Sequence, residues 1–260
     1  HNCTCFNNMA TPIIIANYSL FIHSINKKIK RNITMISIKD LSKSYGSKVV
    51  LENINLNFEK GKVYGIVGEN GSGKTTLFKC IAGIEKHKGA ILCEYGKPKD
   101  FLGYLQTEPY FFSKITGNEY IQLLCNARNV TNTDIKEKNI FDLPLNEYAV
   151  KYSTGMRKKL AFTAILLQEN KLFILDEPFN GVDIHSNIII TEIIHKLKEM
   201  GKSIIISSHI FSTLNDTCDE IFLLKNGQII KSVLKEEFSN LESEMKAFTI
   251  GSKIEKLNLK

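Results

Sequence analysis

Eight consecutive residues, Gly68-Glu69-Asn70-Gly71-Ser72-Gly73-Lys74-Thr75, satisfy the pattern G-x-x-x-x-G-K-[ST] without a mismatch. The chemistry open to such a run is the cradling of a polyphosphate. Glycines let successive backbone N–H groups face one centre, a lysine adds a compact positive charge, and a hydroxyl can join a magnesium ion. Here Lys74 is the cation, and Thr75 and Thr76 bring hydroxyls. About a hundred residues later, Leu172-Phe173-Ile174-Leu175-Asp176-Glu177 sets two adjacent carboxylates behind four apolar residues. Asp176 is the expected partner of Thr75 on Mg2+. Glu177, next along, can face a terminal phosphate and polarise a water.

These groups need elements to hold them. Val63-Tyr64-Gly65-Ile66-Val67 reads as a buried strand entering the glycine loop. Leu77, Ile81 and Ile84 recur at helical spacing beyond it, with Gly83 as a stop signal. Leu172-Phe173-Ile174-Leu175 and Ile204-Ile205-Ile206 are further unbroken apolar strands. Between them Ile190, Ile193, Ile194, Leu197 and Met200 mark one face of a helix ended by Gly201. Such alternation means a parallel sheet covered on both faces, with ligands at the C-terminal strand edge. Ile221-Phe222-Leu223-Leu224 and Gln228-Ile229-Ile230 flank Lys225-Asn226-Gly227, a hairpin signal. The expected fold is an α/β P-loop NTPase with a parallel-sheet core. A strand region opening at Ile36-Ser37-Ile38 precedes the core, and a stretch that looks mainly helical, 107–168, interrupts it. No internal repeat is present, so one nucleotide site is expected per chain.

Composition narrows the classes. A chain of 260 residues, 43% hydrophobic and 23% charged, can bury a full α/β core and is ordinary for a soluble protein. The net charge of +7 suggests nucleic acid until it is located: Lys27, Lys28, Lys30 and Arg31 supply +4 within 1–34, a segment free of Asp and Glu. The remainder is close to neutral, and no nucleic-acid partner is expected. Cys3, Cys5, Cys80, Cys93, Cys125 and Cys218 lack metal-ligand spacing and read as packing thiols in a reducing compartment. No segment reaches the roughly 20 apolar residues that span a bilayer. The best stretch, 13–25, is broken by Asn17, Ser19, His23 and Ser24, and its basic residues follow it, unlike those of a signal peptide. Residues 1–34 are expected to be a leader or disordered segment, 35–231 the nucleotide-binding domain, and 232–260 a charged tail.

Together the P-loop, the Asp176-Glu177 pair and their spacing resemble the ATP-binding subunit of ABC transporters, and further residues extend the likeness over 35–231. Tyr152-Ser153-Thr154-Gly155-Met156 lies where that family carries its Leu-Ser-Gly-Gly-Gln signature. Ser153 and Gly155 match; Tyr152, Thr154 and Met156 depart, as in exporter-type members. His209, after Ser203-Ile204-Ile205-Ile206-Ser207-Ser208, corresponds to the family's switch histidine, and Asn180-Gly181-Val182-Asp183 to its D-loop. Tyr45 sits where the family stacks an aromatic ring on adenine. Gln106, in Gly103-Tyr104-Leu105-Gln106-Thr107-Glu108-Pro109, is the expected glutamine that touches Mg2+; a register set by Glu108-Pro109 places Thr107 there instead. Tyr110-Phe111-Phe112 falls either in the family's groove for a membrane-subunit helix or in the core of the helical subdomain.

The resemblance implies an ABC ATPase fold with an N-terminal β-subdomain and an inserted α-helical subdomain. It implies ATP and Mg2+ as ligands, and ATP hydrolysis by a head-to-tail homodimer or heterodimer. Each ATP would lie between one P-loop and the other subunit's Ser153 and Gly155. A separate transmembrane permease would be the partner, export the task, and the inner face of the cell membrane, on the cytoplasmic side, the location. The rival is a soluble ABC-type ATPase acting on nucleic acid or ribosomes. Such proteins usually need two nucleotide domains or coiled-coil insertions, and the sequence shows neither. A GTPase or small-molecule kinase is disfavoured because no Asn-Lys-x-Asp run is present.

Overall fold

The structure, a computed structural model, describes residues 34–131, 134–209 and 211–239. All of the expected leader but Thr34, with Cys3 and Cys5, and most of the tail lie outside them. Two strands, β1 (Thr34–Tyr45) and β2 (Lys48–Glu59), form an antiparallel hairpin, and β4 (Lys88–Cys93) pairs with the other edge of β1. The second sheet runs in the order β5 (Leu102–Leu105), β6 (Leu172–Asp176), β7 (Ser203–Ser208), β3 (Val63–Val67), β8 (Glu220–Lys225) and β9 (Gln228–Leu234). It is parallel except for the β8–β9 hairpin, which turns at Asn226-Gly227.

Every residue of β3, β6 and β7 is buried, the pattern that a sheet covered on both faces demands. Their side chains alternate between two cores. Val63, Val67, Phe173, Leu175, Ile204 and Ile206 face the helical side. Tyr64, Ile66, Leu172, Ile174 and Ile205 face the antiparallel sheet and helix α1 (Lys74–Ile81). Leu77 and Phe78 of α1 are fully enclosed there, each contributing about 1.5–3 kcal/mol of burial. The P-loop helix is therefore held between sheets. Register brings Val67 beside Ser208 and Asp176 beside Ser207, so three strand ends open at one edge.

Some expectations shift. Helix α1 stops at Ile81 with Gly83 in the left-handed region, leaving Ile84 exposed beyond it. Helix α4 (Ile184–Glu199) buries Ile190, Ile194 and Leu197, but Met200 is the C-cap residue and faces solvent. Between β5 and β6 the stretch 107–168 carries two helices, α2 (Gly117–Asn126) and α3 (Thr154–Leu167), with a 3-10 turn at Ala149–Lys151. The described residues between α2 and that turn run as turns and irregular chain, where Asn129, Thr131 and Pro144 disfavour helix. Helix α5 (Phe211–Thr217) follows β7.

Candidate functional site

The glycine loop leaves β3 at Val67 and enters α1 at Lys74. Gly73, the N-cap, has φ 111; a Cβ there would lie 2.7 Å from Leu51 Cδ2 and 3.1 Å from the Val50 carbonyl, so the position excludes any side chain. No side chain caps α1 and its first turn holds no acid, which leaves backbone donors free for an anion at the positive end of the helix dipole. Ser72 Oγ is buried without a hydrogen-bond partner, the kind of orphan donor that an enclosed phosphate oxygen satisfies. Lys74 is buried, and its Nζ donates to the carbonyls of Gly68 at 2.7 Å and Glu69 at 3.2 Å.

The carboxylates stand at the end of β6, beside the loop. Asp176 is fully buried and accepts three hydroxyls: Thr75 at 2.7 Å and Thr107 at 2.8 Å on Oδ2, and Ser207 at 2.6 Å on Oδ1. Among the described residues no cationic side chain lies within ion-pair distance of it. A buried carboxylate ringed by neutral oxygens suits a hard divalent cation, which takes oxygen ligands and few of them from protein. Glu177 has left-handed backbone, φ 53. Its Oε1 is 3.5 Å from Lys74 Nζ, and its Oε2 is 2.8 Å from His209 Nδ1. Its N–H donates to Ser207 Oγ at 3.0 Å. Lys74, Thr75, Asp176, Glu177 and His209 are thus brought to one point.

Gln106 is not. It follows the last residue of β5, is exposed and makes none of the hydrogen bonds among the described residues, while Thr107 reaches Asp176. Of the two registers, the one set by Glu108-Pro109 puts its residue, Thr107, on the Asp176 carboxylate. Successive side chains at a strand end point to opposite sides, so a one-residue slip exchanges the group facing the carboxylate for the one facing water.

Ser153 caps α3, accepting the Met156 N–H at 3.2 Å. No hydrogen bond or ion pair among the described residues joins Ser153 or Gly155 to the P-loop. Gly155 instead packs on the loop after Glu177, where a Cβ would come within 2.7 Å of the Gly181 carbonyl. Asp183 caps α4 and takes Ser186 N–H at 2.8 Å and Lys159 Nζ at 3.1 Å. The Ser186 backbone bond first, then the Ser186 hydroxyl and Lys159, hold its carboxyl well below the usual range. Lys158, 2% exposed, donates to the carbonyls of Glu177 and Asn180, both at 2.8 Å. Burial pulls its ammonium pKa down, while Glu177 and Asp176 oppose the shift.

Tyr45 is half-exposed beside α1 with Lys43 Nζ 4.5 Å from its ring centroid, so one face is covered by a cation. Burial and then Glu85 push its hydroxyl pKa up, and Thr76 opposes them. The aromatic run divides between its two readings. Phe111 is buried 4.5 Å from the Tyr120 ring, whereas Tyr110 and Phe112 are exposed and meet edge-on at 5.5 Å. Ser207 and Lys158 are site residues that sequence reasoning missed. Ser207 falls inside an apolar strand run and gives no signal of its own, and Lys158 belongs to a basic triplet that reads as solvated surface.

Residues 51–180 match the family model described as ABC transporter. The chain is 33% identical over 222 residues to the lantibiotic transport ATP-binding protein SrtF of Streptococcus pyogenes, covering 80% of this chain and 93% of that one. It is 32% identical over 234 residues to the bacitracin transport ATP-binding protein BcrA of Enterococcus faecalis, covering 84% and 75%. A solved ATP-binding subunit of an ABC transporter superposes with a TM-score of 0.70 at 26% identity, covering 81% of this chain and 94% of that one. The dimeric post-hydrolysis cassette MJ0796 bound to ADP and Pi also gives 0.70; at 21% identity, covering 77% and 99%, it shows the fold alone.

Proposed function

This chain belongs to the ABC transporter family as an ATP-binding subunit, and from that premise we propose how its residues divide the work. It is an ATP-hydrolysing motor that powers a separate transmembrane subunit. None of its described helices is long and apolar enough to cross a membrane. The observation that carries the residue assignment is the relay Lys74–Glu177–His209, with spacings of 3.5 and 2.8 Å, beside the Thr75–Asp176 pair.

The loop N–H groups and Ser72 bind phosphate oxygens, and Lys74 turns its ammonium from its carbonyls to the β- and γ-phosphates. Thr75, Asp176 and Thr107 would hold Mg2+, which supplies neutralisation of developing phosphate charge. Glu177 accepts the proton of the attacking water, and His209, bonded to the same carboxylate, fixes where that water sits. The site is completed by Ser153 and Gly155 of an opposing subunit, homologous or identical; among the described residues no hydrogen bond or ion pair ties them to their own chain's loop. The working domain runs from Thr34 past the expected limit at 231, because β9 continues to Leu234 and Phe238 is buried in the core, and 107–168 is the part that docks on the permease at the inner membrane face. The relatives named for lantibiotic and bacitracin transport favour a peptide cargo, and one named for peptide export favours that direction.

The test is hydrolysis of labelled Mg-ATP by the full chain, together with identification of the hydrophobic protein that co-purifies with it. Failure to retain ATP, or capture of nucleic acid in place of a membrane protein, overturns the reading. Three finer results are expected. Thr107→Val removes one hydroxyl oxygen from the cation position, worth about 0.5–1.5 kcal/mol, and raises the Mg2+ needed for half-maximal turnover roughly 2- to 10-fold. Gln106→Ala stays within about twofold of wild type on the same titration; the opposite ranking restores the glutamine. Tyr45→Ala loses stacking worth about 0.5–1.5 kcal/mol and raises the ATP KM roughly 3- to 10-fold, with kcat little changed.

A further inference from the structure

We propose that Lys158 is a positioning residue for Glu177, its buried ammonium locking the turn that carries the general base onto the signature helix. This rests on Glu177 acting as base. A left-handed backbone at a residue other than glycine is unfavourable and persists only where surrounding contacts over-determine it. At Glu177, φ 53, those contacts are visible. Ser207 Oγ accepts its N–H at 3.0 Å, and its carbonyl accepts the Asn180 N–H at 3.2 Å and Lys158 Nζ at 2.8 Å. The same ammonium takes the Asn180 carbonyl at 2.8 Å, closing the turn from outside.

Charge makes the choice of residue informative. Among the described residues Lys158 has no carboxylate within ion-pair distance, yet it is 2% exposed. An ammonium taken out of water without a paired anion is expensive, and carbonyl dipoles alone replace its hydration here. Lys158 lies on α3 five positions past Ser153, and Gly155 of the same helix packs on the Gly181 carbonyl. Helix start, turn and general base are therefore one mechanical unit. Movement of α3 when Ser153 meets a phosphate reaches Glu177 through two short hydrogen bonds.

The experiment is a double-mutant cycle on the full chain at saturating Mg-ATP, comparing wild type, K158M, E177Q and K158M/E177Q. K158M keeps stem length without the charge. It is expected to lower kcat about 10- to 100-fold while the ATP KM stays within about threefold. In the E177Q background the same change is expected to cost less than about twofold, because a group acting through Glu177 has nothing left to position. K158Q, which retains donors, should recover part of the loss, and it replaces K158M in the cycle if that variant does not fold. Wild-type kcat in the lysine variant, or a loss that multiplies with E177Q, overturns the proposal. Undiminished turnover by E177Q alone instead removes the base assignment, a separate failure.

Discussion

Glu177→Gln is expected to slow steady-state ATP turnover about 10²- to 10⁴-fold, the range that loss of general-base catalysis removes. The substitution keeps side-chain volume in a buried site whose two oxygens are both engaged, by Lys74 and His209. It removes the negative charge that accepts the proton. Nucleotide affinity depends on the loop and Lys74, so the ATP dissociation constant should move only a few-fold. With binding intact and cleavage blocked, the variant should collect as an ATP-bound dimer, read by light scattering at saturating Mg-ATP. A monomer under those conditions, or wild-type turnover, counts decisively against the assignment.

Lys74→Met should fail in the opposite way. The lysine is buried, so methionine preserves packing along the stem while deleting the ammonium that faces Gly68, Glu69 and Glu177. Two hydrogen bonds from a charged donor to phosphate, at about 1.5–3 kcal/mol each, predict a loss of ATP affinity of about 10²- to 10⁴-fold. Equilibrium dialysis with labelled ATP measures it, and thermal melting separates it from unfolding. Retained affinity in a folded variant would strip Lys74 of its role. The pair of variants divides the site: one binds without cleaving, the other does not bind.

Those parts of the site that consecutive residues encode are legible in the amino-acid sequence. The glycine loop, the β6 run into Asp176 and Glu177, and the β7 run into His209 each carry their chemistry on a strand and the step after it. What stays hidden depends on contacts between distant elements. Thr107 and Gln106 differ by one position, and only the packing of β5 against β6 selects which reaches Asp176. Arg157-Lys158-Lys159 looks like a wet basic face, but the turn after β6 covers Lys158 alone while Lys159 reaches Asp183. Ser207 reads as strand filler until register sets it beside Asp176. The stretch 107–168 misleads for another reason: apolar spacing there serves α2 and α3, and the described residues between them form turns, irregular chain and one 3-10 turn.

Strand order carries a consequence for how the molecule comes into being. β3 is flanked by β7 and β8, both encoded well over a hundred residues downstream. During synthesis Val63-Tyr64-Gly65-Ile66-Val67 emerges early, with both backbone edges open and no neighbour made. Long-range parallel pairing of this kind forms slowly. A growing polypeptide therefore possesses its phosphate-gripping loop long before the sheet that fixes it can close, and competence to engage ATP arrives only once β7 and β8 have been made.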